Sequence, residues 1–324
     1  MAVTKIADVI QPELFAQYVI DKTTEKSEIM NAGVVENNPE LNRLITGGGT
    51  ILTMPKWNDL GGKSQVLNDQ KPIEVNNITS KSELATLLIR ANAWGAHELA
   101  GALAGDDPMK AIAERVADWW VRDEKSNIMS ILNGVFASTS MTGLVKDVSS
   151  LIDDKAKISA NAVLDAKQLM GDASDLLTMI YMHSATFTEL QKQNVIQFIP
   201  VAESKISIPT YLGYRVVCDD SAPVDKTGET PKYTTYLLAR GAIQRGMGTP
   251  TTLTSVETDR DSLGSTDYLI NRQAKVLHPK GISWIGGAKI AGPTPSDDEL
   301  ATGTNWNRVA DIKKIGMVKL VHTL

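Results

Sequence analysis

One long amphipathic helix constrains the fold of this chain more than any other feature of its sequence. Asp107 is a favourable N-cap, Pro108 is a favourable first helical residue, and Gly134 supplies a stop signal. Between these limits, apolar residues recur at helical spacing on both sides of a polar run at 122–127. The roughly 26 residues of this helix extend about 39 Å at 1.5 Å per residue. Because that length spans a whole domain, we expect the helix to have different neighbours at its two ends.

Composition and charge exclude several classes of protein. The 324 residues suffice for two compact domains or one elaborated domain. A formal charge of −5 argues against a polybasic nucleic-acid binder, and a hydrophobic fraction of 42% argues against a disordered chain. The single cysteine, Cys218, excludes an intrachain disulfide and a cysteine-based zinc site, and it favours a reducing compartment. We expect neither a secretory signal nor a membrane span, since the longest strongly apolar stretch is 176–182.

The N-terminal segment has the composition of an arm rather than of a core. Pro12 begins an amphipathic pattern that predicts a helix ending near Asn31. Residues 37–49 are linker-like and end in three consecutive glycines. No lysine follows these glycines as in a phosphate-binding loop, so we interpret them as a hinge. The candidate hinge residues here are Gly47, Gly48 and Gly49.

A projecting hairpin is predicted next. Residues 50–57 and 82–94 have the composition of strands that could pair, and the proline in the first strand must lie at a sheet edge. The residues between them, 58–81, are rich in turn signals, which include the further candidate hinge residues Gly61 and Gly62. Loops longer than about 12 to 15 residues are uncommon inside compact domains. We therefore expect this loop to project and to be organised by contacts outside its own fold, as in an assembly protein.

The rest of the chain indicates an α+β fold without repeats. Asn161 is expected to cap a short helix that stops at Gly171, and Ser184 to cap another that ends near Asn194. Alternating or continuous apolar runs predict the remaining strands. These strands are 176–182, 213–218, 233–244 with a glycine break, 268–279, 281–286 and 314–324.

The sequence contains no recognisable catalytic or metal-binding motif. His97 begins a pattern typical of zinc proteases, but Gly101 occupies the position of the second histidine ligand. Cys218 lies in an apolar strand, where a thiol is usually inert. Ser296 and Glu299 have the spacing of a capping box, which explains the acidic residues around them better than a cation site does. We therefore predict no catalytic residues, no cofactor and no metal.

Two adjacent tryptophans on the long helix cannot both face one core. Trp119 and Trp120 point about 100° apart on a helix. One of them could contact a neighbouring chain, and the alternative is that it lies under a local loop.

These segments, in this order, resemble the major capsid proteins of tailed bacteriophages, which share the Hong Kong 97-type fold. The most specific match is PTYLGYRVVCDDSAP at 209–223, which is similar to a family strand and turn of the form L-G-x-x-V-x-x-x-D-x-x-P. Other strings resemble the branch found in phages of Gram-positive bacteria with long non-contractile tails, whose coat proteins use a separately encoded scaffold. These strings are PELFAQYVI, MPKWNDLGGKSQVLND, DPMKAIAERVADWW, MHSAT, LINRQAKVLHPKGI and TPSDDELATGTNW.

The resemblance implies a domain organisation and a function. Residues 1–49 correspond to an N-arm, 50–93 to an extended loop, 94–150 with 255–324 to a peripheral domain containing the spine helix, and 151–254 to an axial domain. The implied protein is a coat protein of the virion, assembled in the host cytoplasm. Its implied partners are copies of itself in hexamers and pentamers, a scaffolding protein, a portal protein at one vertex, a possible decoration protein and, through weak non-specific contacts, packaged DNA.

The resemblance also implies contacts between subunits. The candidate contact residues are Trp57, Lys63, Trp119 and Trp120. One family member joins subunits through a covalent bond from a loop lysine, and by position alone the corresponding candidates are Lys56, Lys63, Lys71 and Lys81. Nothing in the surrounding residues distinguishes any of these lysines.

Two other interpretations remain open at this level. A bacterial nanocompartment shell shares the fold, and a co-purifying enzyme cargo would favour it. An enzyme would form a discrete soluble oligomer, although the missing motifs give no support to that interpretation.

Overall fold

Two β-sheets and one long helix between them form the framework of the molecule. The computed structural model describes residues 32–58, 60–66, 72–105, 107–200, 207–248, 250 and 253–324. The helix predicted from Pro12 to Asn31 lies outside these residues.

The helices of the described residues differ greatly in length. The α-helices are α1 (Pro39–Thr46), α2 (Glu98–Ala104), α3 (Pro108–Ala137), α4 (Ala160–Gln168), α5 (Ser184–Lys192) and α6 (Asp297–Ala301). Short 3-10 helices span Thr139–Leu144, Asp153–Ala156, Gly171–Leu176, Gly303–Asn305 and Ile312–Lys314.

The strands of the described residues are mostly short. The strands are β1 (Val35–Asn37), β2 (Ile51–Trp57), β3 (Ser80–Thr86), β4 (Leu88–His97), β5 (Val145–Asp147), β6 (Leu177–Met182), β7 (Gln197–Pro200), β8 (Ser207–Tyr211), β9 (Tyr214–Cys218), β10 (Val224–Asp225), β11 (Lys232–Ala239), β12 (Ile243–Gly248), β13 (Val256–Asp261), β14 (Thr266–Pro279), β15 (Ile282–Trp284), β16 (Trp306–Arg308) and β17 (Met317–His322). The predicted strand 82–94 is wrong as a single strand, because β3 and β4 divide it between the ribbon and the smaller sheet. The other predicted strands are confirmed to within a few residues, and a turn at Gly241 makes the predicted glycine break between β11 and β12.

Strand pairing divides the core into a smaller and a larger sheet. A five-stranded sheet has the order β1-β12-β14-β13, with β4 along the other side of β14. An eight-stranded sheet has the order β5-β17-β11-β6-β9-β8-β7, and β10 also pairs with β11. Two ribbons of two strands each, β2-β3 and β15-β16, also form, and an isolated bridge joins Lys157 to Thr323.

The long helix α3 contacts a different sheet at each end, as its length predicted. It has 30 residues, which corresponds to about 45 Å. Near its start, Trp119 packs edge-to-face on Trp94 of β4 in the smaller sheet, with ring centres 5.4 Å apart. Near its end, Phe136 stacks on Tyr236 of β11 in the larger sheet, with ring centres 5.5 Å apart. The helix therefore spans the two sheets and packs against both of them.

The predicted end of this helix at Gly134 is wrong, because α3 continues to Ala137. Gly134 lies at a close contact instead. A Cβ atom added at Gly134 would meet the carbonyl oxygen of Leu300 and lie 2.7 Å from Nε1 of Trp306. The absence of a side chain is thus required by packing against α6 and β16, and it does not end the helix.

The polar run in the middle of α3 ties the helix to both sheets. Three consecutive charged side chains each reach a different element. The ion pairs are Asp123 with Lys275 of β14 at 2.7 Å, Glu124 with Arg245 of β12 at 2.5 Å, and Lys125 with Asp219, which follows β9, at 2.6 Å. The Lys275 side chain is 0% exposed. A run that is usually a solvated surface in other helices is here a buried set of ion pairs.

The interpretation of residues 37–49 as a linker is wrong, since most of them form α1. Asn38 caps this helix with its side-chain oxygen. Leu41 and Ile45 are fully buried against β12. Gly246 of β12 makes this approach possible, since a Cβ atom there would lie 2.6 Å from Cβ of Leu41. Strand β12, against which α1 packs, lies about two hundred residues away in sequence, so the local pattern did not reveal this contact.

Two predicted helix caps are displaced by one or two residues. Ser159, not Asn161, caps α4, and its hydroxyl accepts a hydrogen bond from the amide of Ala162 at 3.2 Å. His183, not Ser184, caps α5 through its ring nitrogen Nδ1. The capping box of Ser296 and Glu299 at α6 is confirmed.

The predicted domain boundaries cut across both sheets. β12 lies within the predicted axial segment but pairs with β14 of the predicted peripheral segment. Conversely, β5 and β17 lie in the predicted peripheral segments but belong to the larger sheet, which holds the axial strands. The division into two domains stays a prediction. Strand pairing assigns β12 to the peripheral domain, and it assigns β5 and β17 to the axial domain.

A buried histidine in β17 makes the stability of the larger sheet depend on pH. The His322 side chain is buried, and its Nδ1 donates to the carbonyl of Thr323 at 3.0 Å, so Nε2 accepts from the hydroxyl of Thr235 at 2.9 Å. Burial lowers the pKa of His322 to about 4, and the hydrogen bond to Thr323 only partly opposes this shift. Between pH 4 and 6.5 the unfolded chain therefore binds more protons at this site than the folded chain.

We expect the free energy of unfolding to decrease by about 3 kcal/mol as the pH falls from 6.5 to 4, because each unit of pKa shift corresponds to about 1.4 kcal/mol. The measurement is urea unfolding across this range, with His322→Gln as the comparison. The variant lacks the titrating group, so its pH slope should be flatter by this amount. Equal slopes in the two proteins would contradict the assignment.

Candidate subunit interface

The β2-β3 ribbon carries the long loop away from the sheets, as the sequence predicted. Its register runs from Ile51 opposite Thr86 to Trp57 opposite Ser80. Both strands have a free edge in this two-stranded ribbon, which accommodates Pro55. The described part of the loop, which excludes residues 59 and 67–71, contains no helix or strand.

Side chains hold the two arms of the loop together beyond the ribbon. Asn58 donates to the hydroxyl of Thr79 at 2.7 Å. The Gln65 amide accepts from the backbone nitrogen of Glu74 at 2.8 Å and donates to its carbonyl at 2.9 Å. The described part of the loop thus has its own internal hydrogen bonds.

The loop exposes many apolar side chains. Val66 is 94% exposed and Val75 is 89% exposed. The full set in the described loop and its base is Trp57, Leu60, Val66, Ile73, Val75 and Ile78. Exposed apolar side chains concentrated in one segment in this way indicate an interaction site rather than a solvated loop.

A buried carboxylate organises the base of the ribbon. Glu83 accepts from Lys56 at 2.8 Å, from His278 Nε2 at 3.3 Å and from the backbone nitrogen of Gly281 at 3.3 Å. Burial raises the pKa of Glu83, but the hydrogen bonds from His278 and Lys56 outweigh it and lower that pKa to about 2. Glu83 is therefore ionised in the folded protein under all ordinary conditions, and its carboxylate is hydrogen-bonded to Lys56 and His278.

A basic groove lies between this base and residues 308–314. Its volume is about 620 Å³, and Trp57 forms one apolar wall that is 70% exposed. Its walls contain two carboxylates, those of Glu83 and Asp311, and a larger number of basic side chains. The basic side chains are Lys56, Lys81, Arg308, Lys313 and Lys314. Lys56 is paired with Glu83, and Lys313 is paired with Asp172 outside the groove at 2.6 Å. The groove thus keeps an excess of positive charge in a chain whose net charge is −5.

The register of the ribbon adds to this positive charge. Lys56 and Lys81 are directly opposite on β2 and β3. Like charges in that position destabilise an antiparallel pair. Lys56 is compensated by Glu83, whereas within the described part of the chain Lys81 has no ion pair.

The structure places the predicted contact residues in different surroundings. Trp57 and Lys63 are exposed, on the ribbon and in its loop. Trp119 is half-buried beside Trp94, and Trp120 is 5% exposed and faces Lys275, with 5.7 Å from Nζ to the ring centre. A neighbouring subunit could thus reach little of Trp120.

The predicted hinge glycines also differ in conformation. Gly47 ends α1 with a helical φ of −76°. Positive φ angles occur at Gly48, Gly49 and Gly62, where L-residues are strained. These conformations explain why glycine is needed at three of the five positions, and the hinge role stays a prediction.

The basic groove was not predicted from the sequence. Two of its lysines were candidates for covalent bonding by their position in the loop, but Arg308, Lys313 and Lys314 follow more than two hundred residues later. These segments meet in the folded chain through the pairing of β15 with β16. Because they are far apart in sequence, no local pattern connects them. Only the like-charged cross-strand pair could have drawn attention to the ribbon.

The described residues contain no group of three or more His, Cys, Asp or Glu side chains that could hold a metal ion. His97, the candidate zinc-protease residue, instead caps α2 through Nδ1. None of the helices in this part of the chain is both long and apolar enough to cross a membrane.

Comparison with known proteins identifies the family. The sequence model of the family described as "Gp13-like: Major capsid protein 13-like" matches residues 106–317. The major capsid protein of Bacillus phage SPP1 is 45% identical over 327 aligned residues, which cover 100% of this chain and 99% of that protein.

Solved structures agree on the fold. The capsid of Ralstonia phage GP4 superposes with a TM-score of 0.61 at 9% identity, covering 90% of this chain and 87% of that one. The capsid of Cyanophage Pam1 superposes with a TM-score of 0.58 at 12% identity, covering 92% of each chain. The predicted α+β fold of the Hong Kong 97 type is thereby confirmed.

The sequence relationship decides between the two shell interpretations, since it joins this chain to a phage coat protein over its whole length. The exposed apolar loop and the basic groove therefore belong to a protein of the virion shell. The chain is a member of the Gp13-like family of major capsid proteins of tailed phages.

Proposed function

We propose that this chain builds the icosahedral head shell as hexamers and pentamers around a separate scaffolding protein, and that the shell encloses double-stranded DNA. The exposed apolar loop is the observation that carries the proposal, because it needs a surface outside its own chain. The portal protein at one vertex and a decoration protein are further proposed partners. We also propose that the chain has no catalytic activity.

The proposed division of labour follows the fold. Residues 1–49 act as the N-arm and 50–93 as the extended loop, except that β1 and β4 within these ranges belong to the smaller sheet. The smaller and larger sheets act as the peripheral and axial domains. Trp57, Lys63 and Trp119 contact neighbouring subunits, with Trp120 contributing only its small exposed edge. The glycines at 47–49 and 61–62 absorb differences in angle between neighbours.

The shell is proposed to assemble as a rounded precursor and to expand when DNA enters. In the expanded state the loop lies over a neighbouring subunit. Limited proteolysis of both states, monitored by mass spectrometry, tests this step. Equal protection of the loop before and after expansion would contradict it. The net charge of −5 supports weak contact with DNA, since an extensively basic wall would bind many phosphates.

Replacing Val66 and Val75 with aspartate is expected to abolish shells while leaving the subunit folded. Burying each valine contributes about 1.5 kcal/mol or more to every copy of the contact, and the added charges would remain unpaired. Electron microscopy and light scattering, with the scaffold co-expressed, measure the outcome. Ile152→Asp is the matched control because Ile152 is 79% exposed outside the loop. Normal shells from the loop variant would contradict the proposal.

A further inference from the structure

The hairpin formed by β13 and β14 ends in an exposed acidic tip, residues 257–263. All six residues of β13 are exposed. Glu257, Asp259 and Asp261 alternate along the strand, so their side chains share one face. Leu263, in the turn, is completely exposed. The tip thus combines carboxylates with a single projecting apolar side chain, and its one cation, Arg260, is paired with Glu98 and Asp267 outside the tip.

Two carboxylates of the tip are not neutralised within the described residues. Glu257 pairs with Arg272 at 3.0 Å. Asp259 accepts only from the backbone nitrogen of Arg260, and Asp261 only from those of Leu263 and Gly264. Asp259 and Asp261 therefore present net negative charge to any neighbouring surface.

The basic groove has the complementary composition. Its cations outnumber its carboxylates, although two of the cations are already paired, Lys56 with Glu83 and Lys313 with Asp172 at 2.6 Å. Lys81 has no ion pair among the described residues, and the Arg308 guanidinium donates to the carbonyls of Ser140 and Ala310 rather than to a carboxylate. The exposed ring of Trp57 provides an apolar surface beside these charges.

The tip of one chain cannot occupy the groove of the same chain. β14 begins at Thr266, directly after the tip, and His278 near its other end contacts Glu83 in the wall of the groove. At about 3.3 Å per residue, the strand places these two points about 40 Å apart. The occupant of the groove must come from another molecule.

We propose that the acidic tip of one subunit docks in the basic groove of a second copy of this chain, with Asp259 and Asp261 facing Lys81 and Arg308, and Leu263 packing on Trp57. The contact joins two different surfaces head to tail, and such contacts propagate around rings and closed shells rather than ending at a dimer. This inference rests on the proposed shell function and assigns one of its interfaces.

Charge exchange tests the contact. Lys81→Glu and Asp259→Lys are each expected to lower the yield of shells about tenfold or more, because each places like charges in contact. The double variant restores the opposite charges in exchanged positions, so its yield should return to within about threefold of the unmodified protein. Lys226→Glu and Glu229→Lys, which alter exposed residues of another loop, are the matched controls and should assemble normally.

The assays are sedimentation velocity and electron microscopy of scaffold-co-expressed protein, with circular dichroism to show that each subunit is folded. If the unmodified protein forms no shells, the proposed function fails. If it forms shells but the single variants match the controls, or the double variant does not recover, the docking proposal fails. The rival occupant of the groove is DNA. In that case Lys81→Glu would bind a double-stranded DNA fragment less tightly, while Asp259→Lys would assemble normally. That result would also overturn the docking proposal.

Discussion

Asp123→Ala is expected to lower the free energy of unfolding by about 3 to 5 kcal/mol, because it leaves the Lys275 ammonium buried without its counter-ion. Lys275 is completely buried, its Nζ lies 2.7 Å from Oδ2 of Asp123, and the ring of Trp120 closes one side. Guanidinium unfolding followed by tryptophan fluorescence measures the loss.

A double variant separates the effect of the unpaired buried charge from that of a general packing defect. Adding Lys275→Met to Asp123→Ala removes the buried charge and should restore most of the lost stability. Asp165→Ala is the surface control, because Asp165 is 62% exposed and pairs with Lys146 at 3.2 Å. It should cost less than about 1 kcal/mol. A double variant no more stable than Asp123→Ala would show that the buried charge is not the cause.

Gly134→Val is the second large effect, with an expected decrease of about 2 to 4 kcal/mol in the free energy of unfolding. The new side chain would overlap the carbonyl of Leu300 and the indole of Trp306, and it would break the hydrogen bond of 2.7 Å between them. Overpacking of this kind costs about 1 to 3 kcal/mol, and the lost hydrogen bond costs about 1 kcal/mol more.

The smaller variant Gly134→Ala is more diagnostic, because helix propensity and the close contact predict opposite signs for the change in the free energy of unfolding. In an unobstructed helix interior, alanine is favoured over glycine by about 1 kcal/mol. Here the Cβ atom alone meets Leu300, so the variant should be destabilised. Gly228→Ala, in an exposed loop where a Cβ atom has its nearest neighbour at 3.8 Å, is the control and should be neutral or slightly stabilising. A stabilised Gly134→Ala would contradict the close contact.

Features encoded by neighbouring residues were predictable from the sequence. Asp107 with Pro108 marked the start of α3, and Ser296 with Glu299 marked α6, because a cap requires only residues within one turn. The β2-β3 hairpin was predictable because two strand-like runs flank one turn-rich segment.

Features that depend on distant residues were missed. Gly134 has the composition of a helix end, and only the carbonyl of Leu300 shows why glycine is required inside the helix. The run 122–127 looks like a solvated surface until β12 and β14 supply its partners. The candidate interface divides in the same way: the projecting loop was predicted, whereas the basic groove depends on side chains from two distant segments.

The small core beneath α1 has a mechanical consequence. Leu41 and Ile45 of α1 share this core with Leu52, Ala85 and Leu87 at the root of the hairpin. A displacement of the loop by a neighbouring subunit therefore bears directly on the helix that leads back to the N-terminal segment. If the proposed contacts of the N-arm and the extended loop with neighbouring subunits form, this shared core couples them mechanically, and a rearrangement at one contact displaces the side chains that hold the other.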